Sequence, residues 1–326
     1  MMMHQIAQGL TGCNQFFTPF FADGFLSHLG KSGLLDFTIL GGRHRKNTLR
    51  YLRENHLQID EEGKKHPYDL IVTCTDLITQ RILQETPVVL VQEGIMEDEN
   101  WTFPLVKNLK LPRYLANTAA TGLSDQYEVF CVASEGYQNL FVHKGVKSQK
   151  IAVTGIPTFD NVKSYLQNDF PFKGFVLVAT SSSRETFKSD NRVAFLKKVK
   201  RLAAEKPIIV KLHPNENISR AFFEIQRYLP QALILVEGNI NPMIANCEVL
   251  ITQYSTVTFT GLLLGKQVYS CLDIEKLKTL LPQQNGGKSA QRIAAICQDL
   301  LTKPKLLREN PRSILRQKTK LSFFRN

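Results

Sequence analysis

The stretch IIVKLHPNEN, Ile208 to Asn217, decides how the rest of the chain is read. An unbroken apolar run stops, and Lys, His, Pro, Asn and Glu follow at once. Apolar runs without alternation mark strands covered on both faces, the condition of a parallel sheet. Pro214 cannot continue a ladder, and Asn217 suits the start of a helix. The amphipathic segment SRAFFEIQRYLP, from Ser219, supplies that helix. The unit is strand, turn, helix, with His213 at the strand's end. Two readings of His213 stand open. One is a plain turn. The other is a ligand site, because open α/β sheets bind ligands at the carboxyl ends of their strands.

The same unit recurs in both directions. Downstream and just upstream lie FVLVAT (Phe175–Thr180), ALILVE (Ala232–Glu237), EVLIT (Glu248–Thr252) and QVYSCL (Gln267–Leu272), with the helical NRVAFLKKVKRLAAE from Asn191. Nearer the N-terminus lie DFTILG (Asp36–Gly41), YDLIVTC (Tyr68–Cys74), PVVLVQE (Pro87–Glu93), YEVFCVAS (Tyr127–Ser134) and KIAVTG (Lys150–Gly155). A helix is expected over RKNTLRYLREN (Arg45–Asn55), after a basic loop GGRHRKN (Gly41–Asn47). Strands alternating with helical segments make a βαβ series. The series pauses over Pro157–Gly174, which reads as a linker, and then restarts. The expected organisation is a domain over 1–160, a second over 170–302 and a basic tail over 303–326. The opening MMMHQIAQGL is helical in character, where a Rossmann-like half would open on a strand.

Bulk properties agree with two domains. The chain has 326 residues, 43% of them hydrophobic, enough for two cores. No apolar run is long enough to span a bilayer, and no secretory leader pattern opens the sequence. The six cysteines are scattered without a CxxC pair, which points to buried thiols in a reducing, cytoplasmic setting. The net charge is +12. From Lys303 the chain carries Lys303, Lys305, Arg308, Arg312, Arg316, Lys318, Lys320 and Arg325 against Glu309 alone. Such a tail suits an anionic membrane surface, or it is a solvated segment. No nucleic-acid signature accompanies the charge, so no nucleic acid is expected.

Candidate site residues fall at strand ends. QYSTVTFTGLLLGK (Gln253–Lys266) reads as a strand end, a hydroxyl-rich turn and a helix. Ser255 and Thr256, with the first amides of that helix, suit a pyrophosphate; the alternative is that Ser255 is an ordinary cap. His213 could bond a phosphate oxygen or act as an acid. Glu93 directly follows its strand and is a candidate base, whereas Glu97, Asp98 and Glu99 read as a solvated loop. No spaced histidine partner accompanies these acids, so no metal is expected. The aromatic-rich Phe16–Gly30 reads mainly as packing.

Two Rossmann-like halves with a ligand cleft between them describe the GT-B architecture. YDLIVTCTDLITQRIL followed by PVVLVQEGIMEDEN resembles the bacterial UDP-N-acetylglucosamine 2-epimerases, and places Asp76 and Glu93 on acidic active-site positions of that family. VTGIPTFDN (Val153–Asn161) resembles the entry to the family's linker. KLHPNEN is similar to a His-Pro strand end shared with the CDP-glycerol glycerophosphotransferases, and CEVLITQYSTVTFTGLLLGKQV (Cys247–Val268) to the nucleotide-diphosphate segment of the latter. There are departures from the epimerases. VATSSSRETF has Ser181, Ser182 and Ser183 before Arg184, where a histidine is expected. Phe259 and Thr260 replace a pair of ribose-binding glutamates, and Gln253 replaces an acid.

The resemblance implies a GT-B glycosyltransferase or related nucleotide-diphosphate-dependent transferase in surface polysaccharide or glycoconjugate synthesis. The alternatives are a UDP-sugar 2-epimerase and a non-catalytic nucleotide-sugar-binding scaffold. The nucleotide-sugar or CDP-alcohol donor is a substrate, and no further cofactor is implied. His213, Ser255 and Thr256 would hold the donor, Arg184 or Lys211 would offset diphosphate charge, and Glu93 or Asp76 would activate the acceptor. The acceptor is expected to be lipid-linked, with the protein on the inner face of the cytoplasmic membrane.

Overall fold

The computed structural model describes residues 1–34, 40–182, 184 and 190–303. The expected strand Asp36–Gly41 falls outside them but for its last two residues. So do most of the Ser183–Phe187 turn and the tail beyond Lys303. The described residues divide into two units. One runs from Met1 to Thr158 and resumes at Asn285; the other is Phe159–Gln284.

The first unit opens with three helices, α1 (Met2–Gln8), α2 (Gly24–Lys31) and α3 (Gly42–Glu54). A βα series follows: β1 (Ile71–Thr73), α4 (Ile82–Glu85), β2 (Val88–Val91), α5 (Thr102–Leu109), β3 (Val129–Val132), α6 (Glu135–Lys144) and β4 (Ile151–Val153). The four strands are parallel in the order β1-β2-β3-β4, with Val89 opposite Val129 and Cys131 opposite Ala152. β2 is buried along its whole length, which is why its sequence does not alternate. The end of α6 is set by Gly145, at φ +107°, whose amide bonds the Phe141 and Val142 carbonyls.

The second unit continues with β5 (Val176–Ala179), α7 (Arg192–Ala203), β6 (Ile208–Lys211), α8 (Ile218–Tyr228), β7 (Leu233–Leu235), α9 (Ile240–Asn246), β8 (Val249–Thr252), α10 (Val257–Leu263), β9 (Gln267–Tyr269) and α11 (Ile274–Thr279). Its parallel sheet has the order β7-β6-β5-β8-β9. Asn191 and Asn217 cap α7 and α8, their side-chain oxygens accepting from the Ala194 and Arg220 amides. Apolar clusters cover both sheet faces: Phe195, Leu196, Val199 and Ile225 on one, Phe175, Met243, Ile244 and Leu250 on the other.

Two sequence expectations change. The domain expected over 170–302 ends earlier. Residues beyond Gln284 rejoin the first unit, where α12 (Ser289–Thr302) packs against α1. Ile6 of α1 and Ile293, Ala294 and Cys297 of α12 bury against Val89, Val91 and Cys131. The approach is close: a Cβ on Gly9 would lie 2.8 Å from the Ala294 Cβ. The helix and its partner α1 lie nearly three hundred positions apart in sequence. The basic loop Gly41–Asn47 is also different. The helix begins at Gly42, so all of those basic residues stand on α3, where Arg45 pairs with Glu61.

Candidate active site at the strand ends

In the second unit, β5 lies between β6 and β8. Within the unit the strand order is third, second, first, fourth, fifth, so the direction of winding reverses between β5 and β8. Such a switch point opens a crevice at the strands' carboxyl ends. The register brings Ala179 opposite both Lys211 and Thr252, so the three strands end level. The residues that follow are Thr180 and Ser181, Leu212 and His213, and Gln253 to Thr256. Two strand spacings, about 10 Å, separate the outer pair of ends.

A buried polar network fixes this edge. The Glu216 carboxylate accepts from the His213 amide (2.9 Å), from the Thr180 hydroxyl and from Arg192 Nη2 (2.8 Å). Arg192 Nη2 also donates to the Ser181 carbonyl at 3.0 Å and lies 3.2 Å from Asp190 Oδ2. Asp190 accepts in turn from Gln253 Nε2 (2.7 Å), and Ser181 Oγ donates to Gln253 Oε1 (3.1 Å), bridging the switch point from β5 to β8. Arg192 and Glu216 are both almost wholly buried. Burial of a cation is tolerable here because Asp190 and Glu216 both face it.

This network sets the histidine. The His213 backbone amide is held by Thr180 Oγ1 (3.1 Å) and Glu216. The Asn215 amide donates to His213 Nδ1 at 3.1 Å. A ring that accepts at Nδ1 carries its proton on Nε2 in the neutral form. His213 therefore presents an Nε2–H donor at a half-exposed strand end. Ser255 is half-buried and Thr256 exposed after β8, two strands away across β5. Thr256 is the residue before α10 and makes no side-chain cap bond, while Ser255 Oγ accepts the Val257 amide at a long 3.4 Å. Neither hydroxyl is consumed by a tight cap.

Two expected phosphate contacts are placed differently. Lys211 is buried, and its Nζ donates to the Leu212 and Val236 carbonyls, both at 2.9 Å. Burial lowers its pKa, against the pull of Glu216 and Glu237. It ties β6 to the segment after β7. Arg184 forms a two-pronged pair with Glu224 on α8, both arms 2.7 Å, and its hydrogen bonds hold Glu224 below the ordinary carboxylate range. Both cations brace the scaffold in this geometry. Phe259 and Thr260 are core residues. Phe259 is fully buried and meets Phe159 edge-on, with ring centroids 5.7 Å apart.

In the first unit, Asp76 and Glu93 behave unlike each other. Asp76 is buried, and its two oxygens accept the Gly122 and Ser124 amides, each at 3.0 Å. Arg113 donates to its carbonyl. Asp76 is the clamp of the turn before β3. That turn needs Gly122, which sits at φ +85° with Phe130 2.9 Å from where a Cβ would stand. Glu93 is exposed beyond β2 and lies beside Cys74. Burial, then the charge of Glu93, pushes the Cys74 thiol up to about 12. Gln92, which sequence reasoning passed over, is fully buried; it accepts the Ala133 amide and donates to the Gly94 carbonyl, both at 2.9 Å. Its signal was a lone amide closing a row of valines. The six cysteines are free thiols. Among the described residues no cluster of three acidic, histidine or cysteine side chains could hold a metal ion. Nor is any helix there long and apolar enough to cross a membrane.

No family model and no curated protein sequence matches the chain. Solved structures do. A UDP-GlcNAc 2-epimerase from Neisseria meningitidis, bound to UDP-GlcNAc, is 14% identical over 80% of this chain and 90% of its own, with a TM-score of 0.50. S. aureus MnaA, in a structure with UDP, is 12% identical over 94% and 86%, with a TM-score of 0.51. The wall teichoic acid polymerase TagF is 13% identical over 66% and 68%, with a TM-score of 0.40. At these identities the likeness to the epimerase and to MnaA establishes the fold alone: α/β, two Rossmann-like domains of the GT-B type.

Proposed function

We propose that the protein is a nucleotide-diphosphate-dependent transferase that uses a nucleotide sugar or CDP-alcohol donor to build a surface polysaccharide or related glycoconjugate. The observation that carries this reading is the switch-point edge of the second unit. There His213 Nε2–H and the Ser255 and Thr256 hydroxyls stand on strand ends held level by a buried charge network. Fixed donors of this kind stabilise charge that develops on a leaving diphosphate. In the reaction proposed, an acceptor hydroxyl attacks the anomeric carbon of a nucleotide sugar and its proton passes to a general base. The bond from that carbon to the diphosphate oxygen breaks, and the oxygen's new charge is met by His213; with a CDP-alcohol the hydroxyl attacks the phosphorus bearing the alcohol, the P–O–P link breaks, and the charge is met on the departing CMP. Taken within the first unit, Glu93 is exposed at a strand end, whereas both oxygens of Asp76 are already bonded. The chemistry needs no metal in this proposal. The UDP-GlcNAc and UDP bound in the two structural neighbours make uridine diphosphates the first probes. A lipid-linked acceptor on the cytoplasmic face of the membrane completes the proposal.

A 2-epimerase is the second reading, favoured by the likeness to the N. meningitidis structure. The burial of Phe259 and Thr260 speaks against it, since nothing at those positions can reach a ribose. Incubation with UDP-GlcNAc alone separates the two. The transferase reading expects intact UDP-GlcNAc until an acceptor is supplied. Formation of the 2-epimer without acceptor would replace it with the epimerase, and binding without turnover under any condition would leave a scaffold.

A further inference from the structure

Helix α5 carries two apolar stripes. Phe103 and Val106 bury against Ala116, Ala119 and Ala120 of the 3-10 segment Arg113–Ala120. Trp101, Leu105 and Leu109 repeat at intervals of four on another side, and all three are exposed, Trp101 by 79% and Leu109 by 65%. Residues four apart stack on one helix face. The neighbouring segment extends this face. Thr102 Oγ1 donates to the Leu115 carbonyl at 3.0 Å, which sets Leu115 beside the helix start, and Leu111, Tyr114 and Leu115 are exposed as well. Asn100 secures the helix by accepting the Thr102 and Phe103 amides. Large apolar side chains grouped in this way on an outer surface mark a contact site, where scattered ones would not.

The charge around the patch selects the occupant. Between Asn100 and Ser124 the basic residues are Lys107, Lys110 and Arg113, and there is no acidic residue. Lys107 and Lys110 are exposed. Arg113 is engaged on Asp76 and Thr79. The acids Glu97, Asp98 and Glu99 end just before the helix. Leucines flanked by Trp and Tyr, with lysines at the border, match the layered chemistry of a bilayer surface, where aromatic rings sit at headgroup level and lysines reach anionic phosphates.

We propose that α5 and the segment after it are a lipid-docking surface, inserting Trp101, Leu105 and Leu109 into the headgroup boundary of an anionic membrane. Its residues are other than those of the basic tail, and it does not depend on the identity of the donor.

Trp101 is the single tryptophan of the chain, so its emission reports the proposed contact directly. The full-length protein is titrated with phosphatidylcholine vesicles with and without phosphatidylglycerol. The anionic vesicles should shift Trp101 emission to the blue, and brominated acyl chains should quench it. Leu105→Glu with Leu109→Glu should weaken vesicle binding by about tenfold or more. Lys107→Ala and Lys110→Ala should each weaken it by about fivefold at low salt. The exposed positions leave the circular dichroism spectrum unchanged. Reversing Arg316, Lys318 and Lys320 to Glu should leave the emission shift in place. The proposal is overturned if the leucine variant binds vesicles as the parent does. Emission that stays unshifted on anionic vesicles also overturns it. So does a blue shift that follows protein concentration without lipid, which would assign the face to a second copy of the chain.

Discussion

Replacing Glu216 with alanine probes the network beneath His213 most sharply. The carboxylate is buried and has three donors: the His213 amide, the Thr180 hydroxyl and Arg192 Nη2. Thr180 can turn to the Lys211 carbonyl, already 3.3 Å away, so its loss is small. The His213 amide still donates to Thr180 Oγ1, so the loss falls mainly on Arg192. Arg192 keeps Asp190, but a buried cation that loses one of two carboxylates is left under-compensated. Breaking such a pair costs about 3–5 kcal/mol. With about 4 kcal/mol and a urea slope of about 2 kcal/mol per M, the midpoint of the second unit should fall by about 2 M. The assay must separate the units, because a two-unit chain need not unfold in one step. Trp101 lies in the first unit and reports only that one, whereas far-ultraviolet circular dichroism reports both. The expected outcome is an early dichroism transition with the tryptophan transition moved less. Glu216→Leu with Arg192→Met and Asp190→Asn should recover much of the loss, since the buried carboxylate facing Arg192 is neutralised together with the pair. A dichroism midpoint within about 0.3 M of the parent, well inside the effect expected of an unpaired buried charge, would refute the network's energetic role.

Other consequences are checked more simply. Asp76→Ala should destabilise the first unit by about 2–4 kcal/mol by stranding the Gly122 and Ser124 amides, lowering the tryptophan midpoint while nucleotide binding persists. Gly122→Ala should cost about 1–3 kcal/mol, read in the same way, because a left-handed φ and the Phe130 ring both oppose a Cβ. Glu224 is depressed in the folded state by Arg184, so its stabilisation is present above its unfolded value of 4.5 and is lost as pH falls through the lower folded value. The urea midpoint should therefore drop on acidification below that value, and Glu224→Gln should flatten the drop. Cys131, Cys247 and Cys297, pushed up by burial to about 12, 11 and 12, should resist an aromatic disulfide reagent at neutral pH, while exposed Cys271 reacts at once.

Much of the fold was legible because the strands are covered on both faces. PVVLVQE and FVLVAT are readable as strands for the reason that they bury, and β2 and β5 lie within them, whereas β1, within YDLIVTC, is half-buried at the edge of its sheet. Asn217 was legible as a cap because capping is local. Strand order was not, since nothing in PIIVKLH says that its strand lies beside β5 on the side away from β8. The return of α12 to α1 was hidden for a similar reason. The site divides along the same line. His213 was found from its place at the end of an apolar run. Glu216 stood three residues further on and passed as part of a turn, because the partner that buries it, Arg192, opens a different helix. Arg184 and Lys211 were read as phosphate contacts by charge alone, and their true neighbours, Glu224 and two carbonyls, come from the tertiary structure.

The central claim, that the strand ends of the second unit hold a nucleotide diphosphate through His213, is tested by thermal unfolding of the full chain with UDP, CDP and GDP. A diphosphate at a hundred times its dissociation constant should stabilise the unit that binds it by about 2.7 kcal/mol. The account predicts that UDP or CDP raises the dichroism midpoint of the parent, and that His213→Ala, with an unliganded midpoint close to the parent's, loses most of that rise. A His213→Ala protein stabilised as fully as the parent, or a parent that none of the three stabilises, would contradict it.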